Sequence, residues 1–183
     1  MRLHIFWDQL APKGLQLPVS RMISSVTGLP AGVVDNPVRI MGFVNERKQI
    51  DAQVQLDHLA AFKHLHHIPD PVLLVVSQDL FNHGHAALFG LAREQSGVAV
   101  VSTARLSNEY YGLEPCDYDL IDRIVTEGTH EVGHLLGLSH CSDHECIMFC
   151  PDTLDELNGK KKSFCATCKK QLEDRRLPQI DQI

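Results

Sequence analysis

The chain has 183 residues, a length that suits one domain with a sizeable core. Its hydrophobic share of 44% and charged share of 22% are ordinary for a soluble globular protein. The formal net charge is -6 and no basic stripe offsets it, which argues against a nucleic-acid partner.

No apolar run approaches the roughly 20 residues that span a bilayer, so no membrane anchor is expected. Residues 1–8 read as a strand and lack the apolar core and the cleavage site of a signal peptide. We therefore expect a cytoplasmic protein, and we expect it to be a monomer. In a reducing cytoplasm, clustered cysteines favour metal binding over disulfides.

Short apolar runs bounded by Pro, Gly, Asn or Asp predict strands in the first hundred residues. They cover residues 3–7, 38–44, 72–76, 86–92 and 98–102. Helical spacing over residues 19–27 and 50–67 places helices between the first, second and third of these strands. This alternation implies right-handed crossovers and a mostly parallel sheet. Because short links join the last three strands, one of them is expected to run antiparallel.

A long helix is predicted from Asp117, assigned as its N-cap, to a stop at Gly137. Its apolar residues form one stripe that can press on the sheet. Arg123 and Glu127, four residues apart, are interpreted as a surface ion pair. Beyond this helix the chain is polar, irregular and rich in cysteine, apart from a short helix over residues 166–175. The lysine run 160–162 is interpreted as a solvated loop.

The long helix ends in the sequence His-Glu-Val-Gly-His-Leu-Leu-Gly-Leu-Ser-His, residues 130–140. Histidines at positions i and i+4 share one helical face, so His130 and His134 can direct imidazole nitrogens at one metal ion. Gly137 permits the left-handed conformation that ends the helix, and His140 then returns as a third ligand. Three neutral histidines leave one position of a tetrahedral zinc site open, as catalysis requires.

Glu131 follows the first histidine, where its carboxylate can reach a zinc-bound water instead of the metal. Zinc lowers the pKa of such a water to about 7 and polarises a substrate carbonyl. Glu131 is therefore the candidate general base, and the expected activity is peptide-bond hydrolysis by a zinc-activated water. Two alternatives stay open: a zinc-binding or regulatory domain with little peptidase activity, and a hydrolase of a non-peptide amide. The presence of Glu131 favours an enzyme over the first alternative.

Cysteines at 141 and 146 precede a Cys-x-x-Cys pair at 165 and 168, and this two-pair form is typical of a structural zinc site. Four thiolates close the coordination sphere, so this second zinc would hold the fold and do no chemistry. The spacing of Cys146 and Cys150 is also permissible. Cys141 is preferred over Cys150 as the fourth ligand, and the spacing alone leaves both possible.

These motifs resemble the metzincin metallopeptidases and, more closely, the archaemetzincin branch, because Cys141 directly follows His140 and Cys146-Ile147-Met148 and the Cys-x-x-Cys pair come next. The resemblance implies His130, His134 and His140 on a catalytic zinc, Glu131 as general base, Met148 as the Met-turn residue, and Cys141, Cys146, Cys165 and Cys168 on a structural zinc.

The same resemblance implies an α/β fold with a twisted, mostly parallel five-stranded sheet and an antiparallel edge strand. Residues 86–92 are the expected edge, which could pair with an extended peptide substrate. A long active-site helix and a small zinc-stapled C-terminal part complete the expected fold. The chain is thus predicted to be one catalytic domain, 1–183, with an N-terminal part (1–137) and a Cys-rich C-terminal part (138–183).

Overall fold

A computed structural model describes residues 1–176 of the protein. Its central sheet contains β1 (Leu3–Trp7), β2 (Ala31–Asp35), β5 (Val72–Val76), β8 (Gly90–Arg93) and β9 (Val98–Ser102). The spatial order is β2-β1-β5-β9-β8. All neighbours pair in parallel except β8, which runs antiparallel to β9 at the edge. The predicted fold class is confirmed.

A smaller sheet lies beside the central one. It contains β3 (Phe43–Val44), β4 (Gln49–Asp51), β6 (Leu80–Asn82) and β7 (His85–Leu88), in the order β3-β4-β6-β7. Leu80 and Ile50, which face each other in this sheet, are fully buried. The smaller sheet therefore extends the core on one side of the central sheet.

The helices are α1 (Gln16–Thr27), α2 (Ala52–Leu65), α3 (Asp117–Leu135), α4 (Leu154–Gly159) and α5 (Ala166–Arg176). Helices α1 and α3 cover one face of the central sheet, and α2 covers the other. Because successive strand side chains point to opposite faces, Leu73 and Val75 of β5 enter the core beneath α1 and α3, whereas Leu74 enters the core beneath α2. Every residue of β5 is buried, as expected for a parallel strand covered on both faces.

The long helix α3 lies close to its neighbours because it carries a glycine at the contact. A Cβ placed on Gly128 would lie 3.0 Å from Ile23 Cδ1 of α1 and 3.3 Å from Leu73 Cδ2 of β5. The helix also packs on β8 and β9. This packing fixes the position of its C-terminal half relative to the edge of the sheet.

The C-terminal part has a small core that the histidine and cysteine motifs share. Its buried residues are Leu138, Cys146, Ile147, Met148, Phe164, Cys168 and Leu172. Val26 of α1 and Leu136, which follows α3, pack against them, so the C-terminal core contacts α1 and the end of α3. The division of the domain at residue 137 stays a prediction, and residues 177–183 lie outside the described part of the chain.

Two strand predictions need correction. The second strand of the central sheet is β2, whereas residues 38–44 form a loop with only Phe43–Val44 in the smaller sheet. The chain turns after β2 because the Asn36 side chain bonds both the N–H and the carbonyl of Val38. The predicted strand over residues 86–92 is divided at Phe89 between β7 and β8, so the antiparallel edge is β8.

Candidate metal centres

The helix α3 carries the first two histidines and the glutamate of the motif. Cys116 occupies its N-cap position in an extended conformation, and Asp117, which was expected there, is instead its first residue. Asp117 and Asp119 still place negative charge in the first turn, which suits the helix dipole. After α3 the chain reverses at Gly137, whose φ of 85° lies in the left-handed region that favours glycine.

The structure brings the three predicted histidines together. One ring nitrogen each from His130, His134 and His140 lies within 4.8 Å of the other two. The rings of His130 and His134 are buried and half-buried, and His140 is exposed. No fourth His, Cys, Asp or Glu from residues 1–176 belongs to this group, so the described chain offers three candidate ligands.

Backbone carbonyls hold two of the rings in the orientation that a metal needs. Nδ1 of His130 donates to the Ile147 carbonyl and Nδ1 of His134 donates to the Leu138 carbonyl, each at 2.8 Å. In neutral rings the proton is then on Nδ1, and Nε2 carries a free lone pair. The two Nε2 atoms are 3.1 Å apart, close to the roughly 3.3 Å that two nitrogens on one tetrahedral zinc require.

All three imidazoles are held in the neutral form that ligates metals. Burial lowers the pKa of His130 well below its ordinary value, and the nearby Lys160 charge lowers it further. Burial likewise lowers the pKa of His134 and of His140. Neutral nitrogen ligands, a near-tetrahedral spacing and fixed ring orientations together fit a zinc ion.

Glu131 is buried between the edge strand and its own helix. A Cβ placed on Gly90, the first residue of β8, would lie 2.7 Å from Glu131 Oε1 and 2.9 Å from its Cγ. Glu127, one helical turn earlier on α3, is buried as well. Burial raises the pKa of Glu131 well above its ordinary value, and the neighbouring Glu127 charge raises it further.

Two interpretations of charged residues near this site are wrong. Arg123 and Glu127 are buried, not a surface pair: Arg123 donates to the Leu106 carbonyl and to the side chain of Asn108. Lys160 is buried as well, and its ammonium donates to the Phe149 carbonyl at 2.7 Å. Each buried cation donates to a backbone carbonyl, and these hydrogen bonds offset part of the cost of its burial.

The four cysteines of the predicted structural site also converge. The Sγ atoms of Cys141, Cys146, Cys165 and Cys168 all lie within 4.8 Å of one another, and all four are free thiols. Cys146 Sγ accepts the N–H groups of Met148 and of Cys165, at 3.5 and 3.3 Å. The exposed Cys150 is not in this group.

The environment of the thiols suits a cation with four sulfur ligands. A backbone hydrogen bond from Cys168 lowers the pKa of Cys165 to about 7, so this thiol gives up its proton readily. Burial raises the pKa of Cys146 and of Cys168. Four thiolates this close together repel one another unless a cation lies among them. Coordination by four sulfur atoms is typical of zinc.

Met148 links the two centres. A Cβ on Gly133, between the two helical histidines, would collide with Met148 Sδ and lie 3.1 Å from its Cε. The Met148 carbonyl accepts the N–H of Cys141 at 2.9 Å. The fully buried Met148 side chain therefore packs under the histidine helix, and its backbone holds the first cysteine.

Sequence reasoning missed Gly90 and Glu127 as neighbours of Glu131, and Lys160 as a neighbour of His130. Glu127 could have been found, because residues four apart on a helix lie side by side. Gly90 and Lys160 are distant in the sequence and reach the site only through tertiary packing.

The chain is similar to known proteins over most of its length. The sequence profile of peptidase family M54 matches residues 11–174. Archaemetzincin of Methanopyrus kandleri is 39% identical over 127 residues, which are 69% of this chain and 67% of that protein. Archaemetzincin of Saccharolobus solfataricus is 34% identical over 135 residues, or 73% of this chain and 71% of that protein.

Solved structures share the fold. The zinc-dependent peptidase from Methanocorpusculum labreanum has a TM-score of 0.88 and 41% identity, and the match covers 93% of this chain and 99% of that one. Archaemetzincin of Methanopyrus kandleri has a TM-score of 0.79 and 29% identity, covering 96% and 94%. Fold and site together define a zinc-dependent metallopeptidase. More particularly, the chain belongs to peptidase family M54, the family of the archaemetzincins, and the predicted resemblance is confirmed.

Among the helices of residues 1–176, none is both long enough and apolar enough to cross a membrane.

Proposed function

We propose that the chain hydrolyses peptide bonds at a zinc ion held by His130, His134 and His140, with Glu131 as the general base. The observation that carries this proposal is the convergence of three imidazoles at the end of α3, together with a buried carboxyl group on the same helix that is not one of the converging ligands. Zinc, when bound, acidifies a water molecule and polarises a carbonyl oxygen.

The chain's own residues supply the positioning and the proton transfer. The Glu131 carboxylate accepts a proton from the attacking water and passes it to the amine of the leaving peptide. The Ile147 and Leu138 carbonyls keep the two helical imidazoles oriented during this step. Burial raises the pKa of Glu131, which makes its carboxylate a stronger base.

The edge strand β8 supports an extended peptide as substrate. Among the described strands β8 pairs only with β9, so its other edge can accept a further strand. Gly90, at the start of β8, directly neighbours the Glu131 carboxyl. A peptide that adds to this edge would therefore bring its backbone carbonyls past the general base.

We further propose that each chain binds two zinc ions, with a structural zinc on Cys141, Cys146, Cys165 and Cys168. The exclusion of Cys150 from the thiol group supports Cys141 as the fourth ligand. Met148 serves as the Met-turn residue beneath the histidines. A cytoplasmic location, a monomeric state and one catalytic domain complete the proposal, and they rest on the sequence arguments given above.

The test joins metal analysis to a peptide-library digest. The parent protein should bind two zinc ions, one of them readily chelated, and should cleave peptides. Glu131→Ala should keep both metals and lose cleavage, whereas Glu173→Ala, an exposed glutamate on α5, should retain it. Equal cleavage by the parent protein and Glu131→Ala would remove Glu131 from the mechanism. If the parent protein cleaved simple amides but no peptides, its substrates would be non-peptide amides instead of peptides.

A further inference from the structure

The strand that leads to Gly90 contains an irregularity. In the pair β6–β7, one residue of β6, Phe81, opposes two residues of β7, Ala86 and Ala87. This is the form of a β-bulge, in which an extra residue interrupts the ladder and bends one strand. Beyond the bulge, only Phe89 separates β7 from β8, which begins at Gly90. The bulge therefore lies in the segment that sets where β8 begins.

The register of this segment decides which residue lies against the candidate general base. A Cβ at Gly90 would lie 2.7 Å from Glu131 Oε1, whereas the residues on either side, Phe89 and Leu91, carry large side chains. Because β8 is at the edge of the central sheet, pairing with β9 holds it from one side only. A shift by one residue at the bulge would bring a large side chain to the place where only glycine leaves room for Glu131.

Two side chains hold the bulge in place. Nε2 of Gln49 and Nη2 of Arg47 both donate to the Ala86 carbonyl, at 3.0 and 2.9 Å. The Arg47 guanidinium also lies over the ring of Phe81, with Cζ 4.2 Å from the ring centre, so it contacts both strands at the bulge. Nε of Arg47 donates to Gln49 Oε1 at 2.9 Å. The two side chains therefore fix each other as well as the interrupted strand.

An ion pair anchors Gln49 to the central sheet. Gln49 is 6% exposed, and its Nε2 also donates to Asp79 Oδ2 at 2.9 Å. Nε and Nη2 of Arg105 donate to the two carboxylate oxygens of Asp79, at 2.8 and 2.9 Å, in the two-pronged geometry that fixes both partners. Arg105 lies in the short 3-10 helix Ala104–Leu106 that follows β9. The contacts therefore connect the end of β9, the partner of β8, to the bulge in β7.

From these contacts we infer that Gln49, Arg47 and the Asp79–Arg105 pair are positioning residues for the substrate-binding edge. They hold the bulge of β7 in register and thereby keep Gly90 of β8 beside the Glu131 carboxyl. The inference rests on the proposed role of Glu131 as general base. It assigns no contact with substrate to any of the four side chains.

The first experiment is Gln49→Met, because methionine is similar in length and makes neither hydrogen bond. We expect kcat to fall about 10–100-fold, the scale for a group misplaced by roughly 1 Å, with zinc content kept. Gln55→Met is the matched control: Gln55 is also buried, but its Oε1 accepts the N–H of Met41, outside this network. It should lower Tm without lowering kcat. A parent-like kcat in Gln49→Met, or the same fall in both variants, overturns the inference.

A double-mutant cycle supplies a readout that a general loss of stability does not move. Gly90→Ala displaces the Glu131 carboxyl by itself. Gln49→Met should therefore lower kcat by a smaller factor in the Gly90→Ala background than in the parent protein, since both changes act on the same contact. Equal factors in the two backgrounds would mean that Gln49 does not act through Gly90, and the inference fails.

Hydrogen exchange follows the strand itself and needs no activity. In the zinc-free protein, amide protection across residues 85–93 should fall in Gln49→Met and stay at the parent level in Gln55→Met. Unchanged protection in Gln49→Met contradicts the inference whatever the kinetics. If Gln49→Met does not fold, Arg47→Met replaces it, because Arg47 is exposed and donates to the same carbonyl. It should lower protection in the same segment, and parent-like protection overturns the inference.

The ion pair is tested by Asp79→Leu. This change removes the anchor but leaves both donors on the Ala86 carbonyl, so kcat should fall by a smaller factor than in Gln49→Met. A parent-like kcat and parent-like protection of residues 85–93 overturn the role of the Asp79–Arg105 pair.

Glu131→Gln separates this inference from the function it rests on. If Glu131→Gln stays active, the general-base assignment fails. If Glu131→Gln is inactive while Gln49→Met has the kcat of the parent protein, only the positioning role fails.

Discussion

The histidine centre and the cysteine centre lie next to each other in the chain and are built in opposite ways. Two of the three histidines come from the rigid helix α3, which is held in place by α1 and the central sheet. The cysteines come from the loop after α3 and from the start of α5, and these segments share a core of seven buried residues. One centre is therefore placed by a scaffold that exists without it, whereas the other must itself help to form the scaffold.

Their hydrogen bonds show the same contrast. The Nδ1 atoms of His130 and His134 are held by backbone carbonyls at 2.8 Å. The thiols face mainly one another, with Sγ–Sγ distances of 3.8 Å for the pairs Cys141–Cys165 and Cys146–Cys168. Since a thiol is a weak hydrogen-bonding group, such contacts stabilise little without a metal. The difference predicts that loss of metal has unequal effects at the two centres.

The largest effect should follow from Cys146→Ser. Structural zinc supplies about 10–16 kcal/mol of apparent binding energy, which is comparable to the whole stability of a domain, about 5–15 kcal/mol. Removing one thiolate should release this zinc, unfold residues 138–176 and abolish activity, because His140 and Met148 lie in the same region. Zinc analysis and hydrogen exchange across this segment measure the change.

His140→Gln is the control for that variant. It should lose the catalytic zinc and the activity, yet keep the structural zinc and normal hydrogen-exchange protection. Similar unfolding of both variants would erase the proposed difference between the centres.

The next largest effect concerns only the histidine centre and tests the contact between Gly90 and the Glu131 carboxyl. Gly90→Ala places a methyl group 2.7 Å from Glu131 Oε1, and the carboxyl must move. We expect kcat to fall about 100-fold, with both zinc ions retained and little change in Tm. Gly84→Ala is the matched control, because the nearest atom to its Cβ is 3.5 Å away on Asn82. A normal kcat in Gly90→Ala would mean that Glu131 is not confined by β8.

The contrast also explains which features the sequence predicted. The ligands of both centres are read from local spacing, and β5 and β9 have the predicted bounds because they are fully buried apolar runs. The edge strand β2, Ala-Gly-Val-Val-Asp, is half exposed and lacks such a signal, so an apolar stretch further along was preferred. The helix α4 was missed although Thr153 and Glu156 form a capping box, a pattern that is visible in the sequence.

Gly90 and Lys160 could not be predicted in the same way. Lys160 ends α4 in a run of three lysines, two of which are outside the core, and nothing local distinguishes it from its neighbours. Its ammonium donates to the Phe149 carbonyl, and burial lowers the pKa of Lys160 while the charges of Glu127 and Glu131 oppose that change. Burial of charge is decided by tertiary contacts, whereas ligand spacing is decided by helix geometry.

A smaller effect tests the link between the centres. Gly133→Ala should destabilise the protein by about 1–3 kcal/mol, the usual cost of overpacking, because the fully buried Met148 must shift away from α3. Denaturant unfolding measures this change. Gly159→Ala should have little effect, because no atom lies within 4 Å of its Cβ position. Equal free energies of unfolding for the two variants would show that the Met148 side chain is not packed tightly against α3 at Gly133.

The smallest effect distinguishes the fourth thiol ligand. Cys150 is exposed and outside the group of four thiols, so Cys150→Ser should leave two zinc ions bound and change the free energy of unfolding by less than about 0.5 kcal/mol. Cys141→Ser should lose the structural zinc, because its Sγ lies 3.8 Å from that of Cys165. The measurement is the amount of zinc released from each variant when its thiols are titrated with a thiol reagent. Loss of metal from Cys150→Ser but not from Cys141→Ser would make Cys150 the fourth ligand instead of Cys141. The hydrogen bond from the Cys141 N–H to the Met148 carbonyl would then no longer connect a ligand of the cysteine centre to Met148.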